Sequence, residues 1–261
     1  MNKISGAFLN RKAFIPFITS GDPSLEVTEQ LVIKMAEAGA DLIELGIPFS
    51  DPVAEGEVIQ NASMRALAGG VTVDKIFDMV GRIRSKCPVP LILMTYVNPV
   101  FAYGTEKFFK NCKEAGVDGI IVPDLPYEEK GELTPFCSEY GITFISMIAP
   151  TSGSRIRMIA KEAEGFLYCV SSMGVTGVRE HIGDEVNKMV EIVRSVTDIP
   201  CAVGFGVSTP EQAARLAAFA DGVIVGSAIV KIIEKYGPDC IPYVVEYVRM
   251  MKNAVKNCEG L

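Results

Sequence analysis

The sequence predicts an α/β protein of the TIM (β/α)8 barrel class, folded as one domain over residues 1–261 with extra helices. Three observations predict it. Short apolar runs alternate with helical patterns along the whole 261 residues, and α/β barrels routinely use about 200–250 residues as a single domain. The apolar runs lack polar alternation, as expected of parallel strands buried on both faces. A helix-to-strand junction also recurs. Glu37-Ala38-Gly39-Ala40-Asp41-Leu42-Ile43 is echoed by Glu114-Ala115-Gly116-Val117-Asp118-Gly119-Ile120 and by Ala220-Asp221-Gly222-Val223-Ile224. Where Gly follows the helix it supplies a left-handed cap at little cost, and Asp leads into the next strand.

Taken in order, the apolar runs place strands at Ala13–Thr19, Asp41–Gly46, Leu91–Thr95, Gly119–Val122, Thr143–Ile148, Gly165–Val170, Cys201–Phe205 and Gly222–Val225. Helical patterns fill the intervals at Ser24–Ala38, Val73–Ser85, Thr105–Ala115, Tyr127–Glu139, Ser154–Ala163, Asp184–Val196 and Thr209–Ala218, with a terminal pair after Ser227. Thr209 is a good N-cap and Pro210 a good first helical residue. Further helical material lies at Val58–Ala68, between the second strand and its partner helix. The connection Ser171–Gly183 is long and rich in Gly, Ser and Thr. Loops of that length inside a compact barrel are more often lids than accidents.

Composition excludes several function classes. Hydrophobic residues are 49%, charged residues 22% and net charge −7. No Lys/Arg cluster marks a nucleic-acid face, so an anionic substrate must be held locally. The seven cysteines, Cys87, Cys112, Cys137, Cys169, Cys201, Cys240 and Cys258, form no C-x-x-C pair and are odd in number. That pattern fits reduced thiols in the cytoplasm better than a disulfide framework. Met1 to Lys12 is short and polar, without an apolar signal core. No run approaches the ~20 apolar residues of a membrane span.

In such a barrel the active site lies at the C-terminal ends of the strands. The chain places Thr19, Asp22, Glu44, Tyr96, Asn98, Asp124, Ser171, Ser172, Gly206 and Gly226-Ser227 there. Glu44 ends the apolar run of the second strand, and Glu55 follows eleven positions later, after a loop rich in Pro, Gly, Ser and Asp. An apolar strand has no structural use for a charged end residue. Glu44 is therefore either paired with a buried Arg or Lys, or used for acid–base chemistry with Glu55; Glu55 taken alone also fits a solvated loop residue. Gly206 and Gly226-Ser227 each precede a helix directly after the last two strands. Small residues there let an anion approach the positive end of a helix, although each turn by itself is also an ordinary tight turn. Other chemistries are disfavoured. His181 is the single histidine; that is too few for a zinc-dependent aldolase, and its place in the lid-like loop disfavours a Ser-His-Asp triad. No Lys sits at a strand end, which argues against a Schiff base.

The segment Glu44-Leu45-Gly46-Ile47-Pro48-Phe49-Ser50-Asp51-Pro52-Val53-Ala54-Glu55-Gly56 resembles the signature of the tryptophan synthase alpha chain family, close to E-L-G-x-P-F-S-D-P-x-A-D-G-P. Pro16–Pro23, Gly174–Gly177, Gly204–Ser208 and Val225–Val230 resemble the same family in order and spacing, and the resemblance covers nearly the whole chain. It implies a lyase of tryptophan biosynthesis, performing retro-aldol cleavage of indole-3-glycerol phosphate to indole and glyceraldehyde 3-phosphate. Glu44 would be the acid–base group at the ring carbon, and Glu55 would accept the indole N–H. The chain departs from the family by carrying Glu55 for Asp and Glu57 for Pro. One methylene moves a carboxylate by roughly 1 Å, and displacement on that scale can cost about a hundredfold in rate.

The resemblance adds Gly177 to the phosphate site formed by Gly206, Gly226 and Ser227. It lines an indole slot with Phe17, Met94, Ile121, Tyr168 and Phe205, and sets Tyr96 and Asp124 against the ligand or the partner's side. Thr176 would lie near Glu55, while Pro48, Asp51 and Pro52 would face the partner. That partner is a beta chain in an α2β2 assembly. Pyridoxal phosphate belongs to the beta chain, and this chain needs no cofactor. Two other readings stay open: a phosphate-binding barrel isomerase or epimerase, and a weakly catalytic subunit that chiefly activates a beta chain.

Overall fold

The structure is a computed structural model and describes residues 3–170, 182–204 and 206–257. Nine strands form one sheet: β1 Ala13–Thr19, β2 Ile43–Gly46, β3 Leu91–Met94, β4 Gly119–Ile121, β5 Thr143–Phe144, β6 Met147–Ile148, β7 Leu167–Val170, β8 Cys201–Gly204 and β9 Gly222–Val225. Every pairing is parallel, in the order β5-β4-β3-β2-β1-β9-β8-β7-β6. The two ends of that order are halves of a single predicted strand, Thr143–Ile148. Between them the Ile145 N–H bonds the Ile120 carbonyl, and the Ser146 carbonyl accepts from the Tyr168 N–H. One short segment thus joins both edges, and the sheet closes as a TIM barrel.

The recurring Asp has a structural job that explains the sequence repeat. Asp41 precedes β2 and its carboxylate accepts the Phe14 N–H of β1 at 2.8 Å. Asp118 precedes β4 and accepts the Leu91 N–H of β3 at 2.9 Å. Asp221 precedes β9 and accepts the Cys201 N–H of β8 at 2.9 Å. Each aspartate therefore ties the start of its own strand to the neighbouring strand, and each also holds a cation: Lys252, Arg84 and Arg194 respectively. Because Asp41 works from outside the ladder, β2 begins at Ile43 rather than at the predicted Asp41.

Three segments differ from the sequence expectation. Tyr127–Glu139 is not one helix. It is a 3-10 segment, Tyr127–Glu132, followed by a helix at Thr134–Tyr140 whose first turn holds Pro135; proline lacks an N–H but suits a first turn. The polar-looking start of the chain also packs as core. Lys3–Gly6 is helical, and Ile4, Ala7 and Phe8 are buried beneath the barrel interior with Ile15, Ile92, Phe166 and Ile224. Glycines admit this plug: a Cβ at Gly119 would lie 2.8 Å from Ile4, and one at Gly222 2.9 Å from Phe8. A further helix, Val97–Tyr103, occupies a stretch expected to be loop.

Strand parity divides the core into two shells. Phe14, Ile18, Ile43, Leu45, Leu91 and Leu93 face outward into the helix layer. Residues in the opposite register fill the barrel. Phe17, Glu44 and Tyr168 stand at its mouth, and Phe17 and Glu44 are direct neighbours across the β1–β2 ladder. Among the described residues no helix is long and apolar enough to cross a membrane.

Candidate active site at the barrel mouth

Glu44 comes from β2, between Phe17 of β1 and Ile92 of β3. It is fully buried, and neither carboxylate oxygen has a hydrogen-bond partner among the described residues. Loss of water around it pushes its pKa up to about 8. A buried ion pair would have drawn the value down instead, and among the described residues no Arg or Lys pairs with Glu44. At neutral pH the group keeps its proton and can act as an acid. Burial, and then the Glu44 charge, raise the phenol of Tyr168 well above its ordinary range.

Glycines around Glu44 make room for two rings. A Cβ at Gly46 would lie 2.6 Å from Phe17 Cζ, and one at Gly204 would collide with the Tyr168 hydroxyl. Met94 packs with Phe17 against Ile59, Ala62 and Val230. The result is an apolar surrounding with one uncharged carboxyl in it. The hydroxyls of Thr19 and Ser20, buried at the same rim, also have no partner among the described residues.

Glu55 lies half-buried in the loop after β2, and desolvation pushes its pKa up to about 7. Its backbone is held on both sides. The preceding Ala54 N–H donates to the Tyr96 hydroxyl at 2.9 Å, and Gln60 Nε2 donates to the Glu55 carbonyl at 2.8 Å. Tyr96 is only 2% exposed. Burial pushes it up to about 12, the Ala54 bond works against that shift, and the Glu55 charge adds to it. Asp124 accepts the Val97 N–H at 3.0 Å, at the start of helix Val97–Tyr103. Tyr96 and Asp124 thus work on backbone N–H groups of the neighbouring rim loops.

On the opposite rim, Gly206 has φ +74°. The helix Pro210–Ala217 that follows carries a capping box: Thr209 Oγ1 accepts the Gln212 N–H at 3.3 Å, and Gln212 Oε1 accepts the N–H groups of Ser208 and Thr209. The Tyr247 hydroxyl donates to the Ser208 carbonyl at 2.9 Å from behind. Gly226 precedes the helix Ser227–Tyr236, and a Cβ there would stand 3.2 Å from Phe17 Cδ1. The first N–H groups of that helix have no intrahelical acceptor, which makes its start an anion site in kind. Thr176, Gly177, Phe205, Ser171, Ser172 and His181 lie outside the described residues.

The sequence reading missed Arg65. Its guanidinium forks onto the buried Asp22 at the same rim, through Nε at 2.9 Å and Nη2 at 2.8 Å. A single arginine on an amphipathic helix carries no signal of this in its spacing.

Residues 7–257 match the family profile of the tryptophan synthase alpha chain. A tryptophan synthase alpha chain from Lacticaseibacillus casei is 46% identical over 255 residues, covering 98% of this chain and 96% of that one. One from Geobacter sulfurreducens is 46% identical over 264 residues, covering 98% of this chain and all of the other. Among solved structures, tryptophan synthase subunit alpha from Legionella pneumophila superimposes with a TM-score of 0.89 at 38% identity, covering 98% of both chains. A chain of the tryptophan synthase α2β2 complex from Pyrococcus furiosus gives a TM-score of 0.86 at 37% identity, covering 93% of this chain and 99% of that one. Sequence and fold agree, and the chain belongs to the tryptophan synthase alpha chain family.

Proposed function

We propose that this chain, as a single barrel domain, cleaves indole-3-glycerol phosphate to indole and glyceraldehyde 3-phosphate. One observation carries the reading most directly: a fully buried carboxyl, Glu44, with no hydrogen-bond partner among the described residues and a pKa pushed up to about 8, stands in the apolar mouth of the barrel.

The burial and raised pKa values of the two carboxyls support the following chemistry. The indole ring occupies the slot beside Phe17 and Tyr168. Glu44 gives its proton to the ring carbon that bears the side chain, and the ring becomes an indolenine cation. Glu55, as an anion, accepts the ring N–H and offsets the positive charge. A carboxylate then takes the proton of the side-chain hydroxyl adjacent to the bond. The oxygen electrons form the aldehyde C=O, the C–C bond breaks, and its electron pair returns to the ring as indole. The protonated ring is the electron sink, so no cofactor is required. The phosphate, held at Gly206, Gly226 and Ser227 with Gly177, anchors the other end, and its binding energy orients the reacting carbons.

The partner in this reading is a beta chain in an α2β2 assembly. Pyridoxal phosphate in that subunit joins the released indole to serine. The loop of Pro48, Asp51 and Pro52 faces it, and Val53 in the same loop is 79% exposed. Six described cysteines are free and buried, which supports a reducing, cytoplasmic setting. The deciding experiment is indole release from indole-3-glycerol phosphate by wild type and by Glu44→Gln, with and without a beta chain. Full activity in the variant excludes the mechanism. Stimulation of a beta chain without any cleavage would favour the regulatory reading.

A further inference from the structure

Two helices carry the two ends of the candidate site. Glu57–Ala68 begins two residues after Glu55, and Ser227–Tyr236 begins at the phosphate turn. They meet in one buried cluster, where Ile59 and Ala62 of the first pack on Val230 of the second and on Phe17. Apolar contact of this kind leaves sliding and tilting soft. One side chain adds directional contacts across this packing.

Arg65 lies on the first helix. Its Nη1 reaches Glu234 of the second helix at 2.8 Å. Nε and Nη2 take both oxygens of Asp22, in the turn after β1. Asp22 is 1% exposed, while Glu234 is 46% exposed on its side chain. The fork onto Asp22 is planar and bidentate, so it sets direction as well as distance. Asp22 raises the pKa of Arg65 further, chiefly through that hydrogen bond, so the charge is permanent. We infer that Arg65 is a positioning residue that holds the carboxylate loop and the phosphate helix at a set separation on the barrel rim.

The inference rests on the proposed cleavage reaction. That reaction needs the ring end and the phosphate end placed together, and a misplacement of about 1 Å can cost roughly a hundredfold. The side-chain partners of Arg65 are Asp22 and Glu234, not Glu44, Glu55 or the turns at Gly206 and Gly226. Its loss should therefore lower turnover rather than the affinity for either half of the substrate.

The test uses the full chain with a beta chain present. Arg65→Gln combined with Asp22→Asn removes the link without leaving an unpaired buried charge. We expect kcat to fall about 10- to 100-fold. The separate affinities for glycerol 3-phosphate and for indole should stay within about threefold, because the contacts of each half persist. A merely structural role would lower the melting midpoint and leave kcat of the folded enzyme unchanged. Glu234→Gln, at an exposed position, keeps the Asp22 fork and should reduce kcat by about two- to fivefold, in keeping with a partly exposed ion pair. Wild-type kcat in the folded double variant overturns the inference. So does a loss of turnover matched by an equal loss of glycerol 3-phosphate affinity. If the double variant does not fold, an unchanged kcat in Glu234→Gln overturns it. A wild-type chain that releases no indole sinks the cleavage reading itself, and the inference with it.

Discussion

The backbone N–H of Ala54 donates to the hydroxyl of Tyr96 across 2.9 Å, one residue before Glu55. The loop after β2 is thereby fastened to a side chain 2% exposed at the end of β3. Val53, next to it, is 79% exposed, so the loop has little packing of its own at that point. Tyr96→Phe deletes the acceptor and leaves the ring. A net hydrogen bond is worth about 0.5–1.5 kcal/mol, and the loosened carboxylate should lower kcat roughly 3- to 10-fold with the fold intact. Steady-state kinetics beside a thermal melt checks this.

Glu44 supplies a second prediction. A positioned general acid contributes about 10²–10⁴ in rate, so Glu44→Gln should lower indole release by that order. The same change should make the protein more stable. The folded pKa of Glu44, about 8, lies above the ordinary glutamate value of 4.5. The folded state thus binds the proton more tightly, and stability falls as pH rises from about 4.5 toward 8. Glutamine does not titrate. Near pH 7 the variant should gain on the order of 3 kcal/mol over wild type, less near pH 5, as read by denaturant unfolding at both pH values.

The two carboxyls also shape the pH profile. Glu44 works as an acid, with pKa about 8, and Glu55 as an anion, with pKa about 7. Activity should decline below about 7 as Glu55 gains a proton, and above about 8 as Glu44 loses its own. In Glu55→Gln the acid limb should vanish from what activity remains, and its persistence would remove Glu55 from that limb.

Glu55 itself is longer than the family's aspartate. Glu55→Asp should preserve or raise kcat, because the carboxylate stays and returns to the family length, whereas Glu55→Ala should lose most of the turnover. An unchanged rate in the alanine variant would take Glu55 out of the chemistry.

Gly206 offers a test of the anion side. At φ +74° it adopts a backbone that residues with a Cβ rarely hold. Gly206→Ala should shift the turn, raise KM and weaken glycerol 3-phosphate binding, while indole binding stays the same. Calorimetry with the two ligands separately tells these apart.

Periodicity and turn chemistry specified the eight βα units, the boundaries of β1, β9 and the helix Thr105–Ala115, and a carboxylate at the end of β2. These are local properties: burial on both faces, a capping residue, a glycine after a helix. The barrel plug of Ile4 and Phe8 escaped because five of the first twelve residues are strongly polar or charged and only the packed face reveals the rest. Closure at Ile145 and Ser146 depends on both edges of the sheet arriving together. The meaning of Glu44 also waited for the fold. A charged residue at a strand end also reads as half of an ion pair, and only the assembled mouth shows that neither oxygen of Glu44 has a partner among the described residues. Likewise Arg65 meets partners 43 and 169 positions away. Spacing along a chain encodes which face a residue takes within its own element. Which charges meet, and which are left dry and alone, is decided by three-dimensional proximity between elements, because desolvation and Coulomb forces act through space rather than along the backbone.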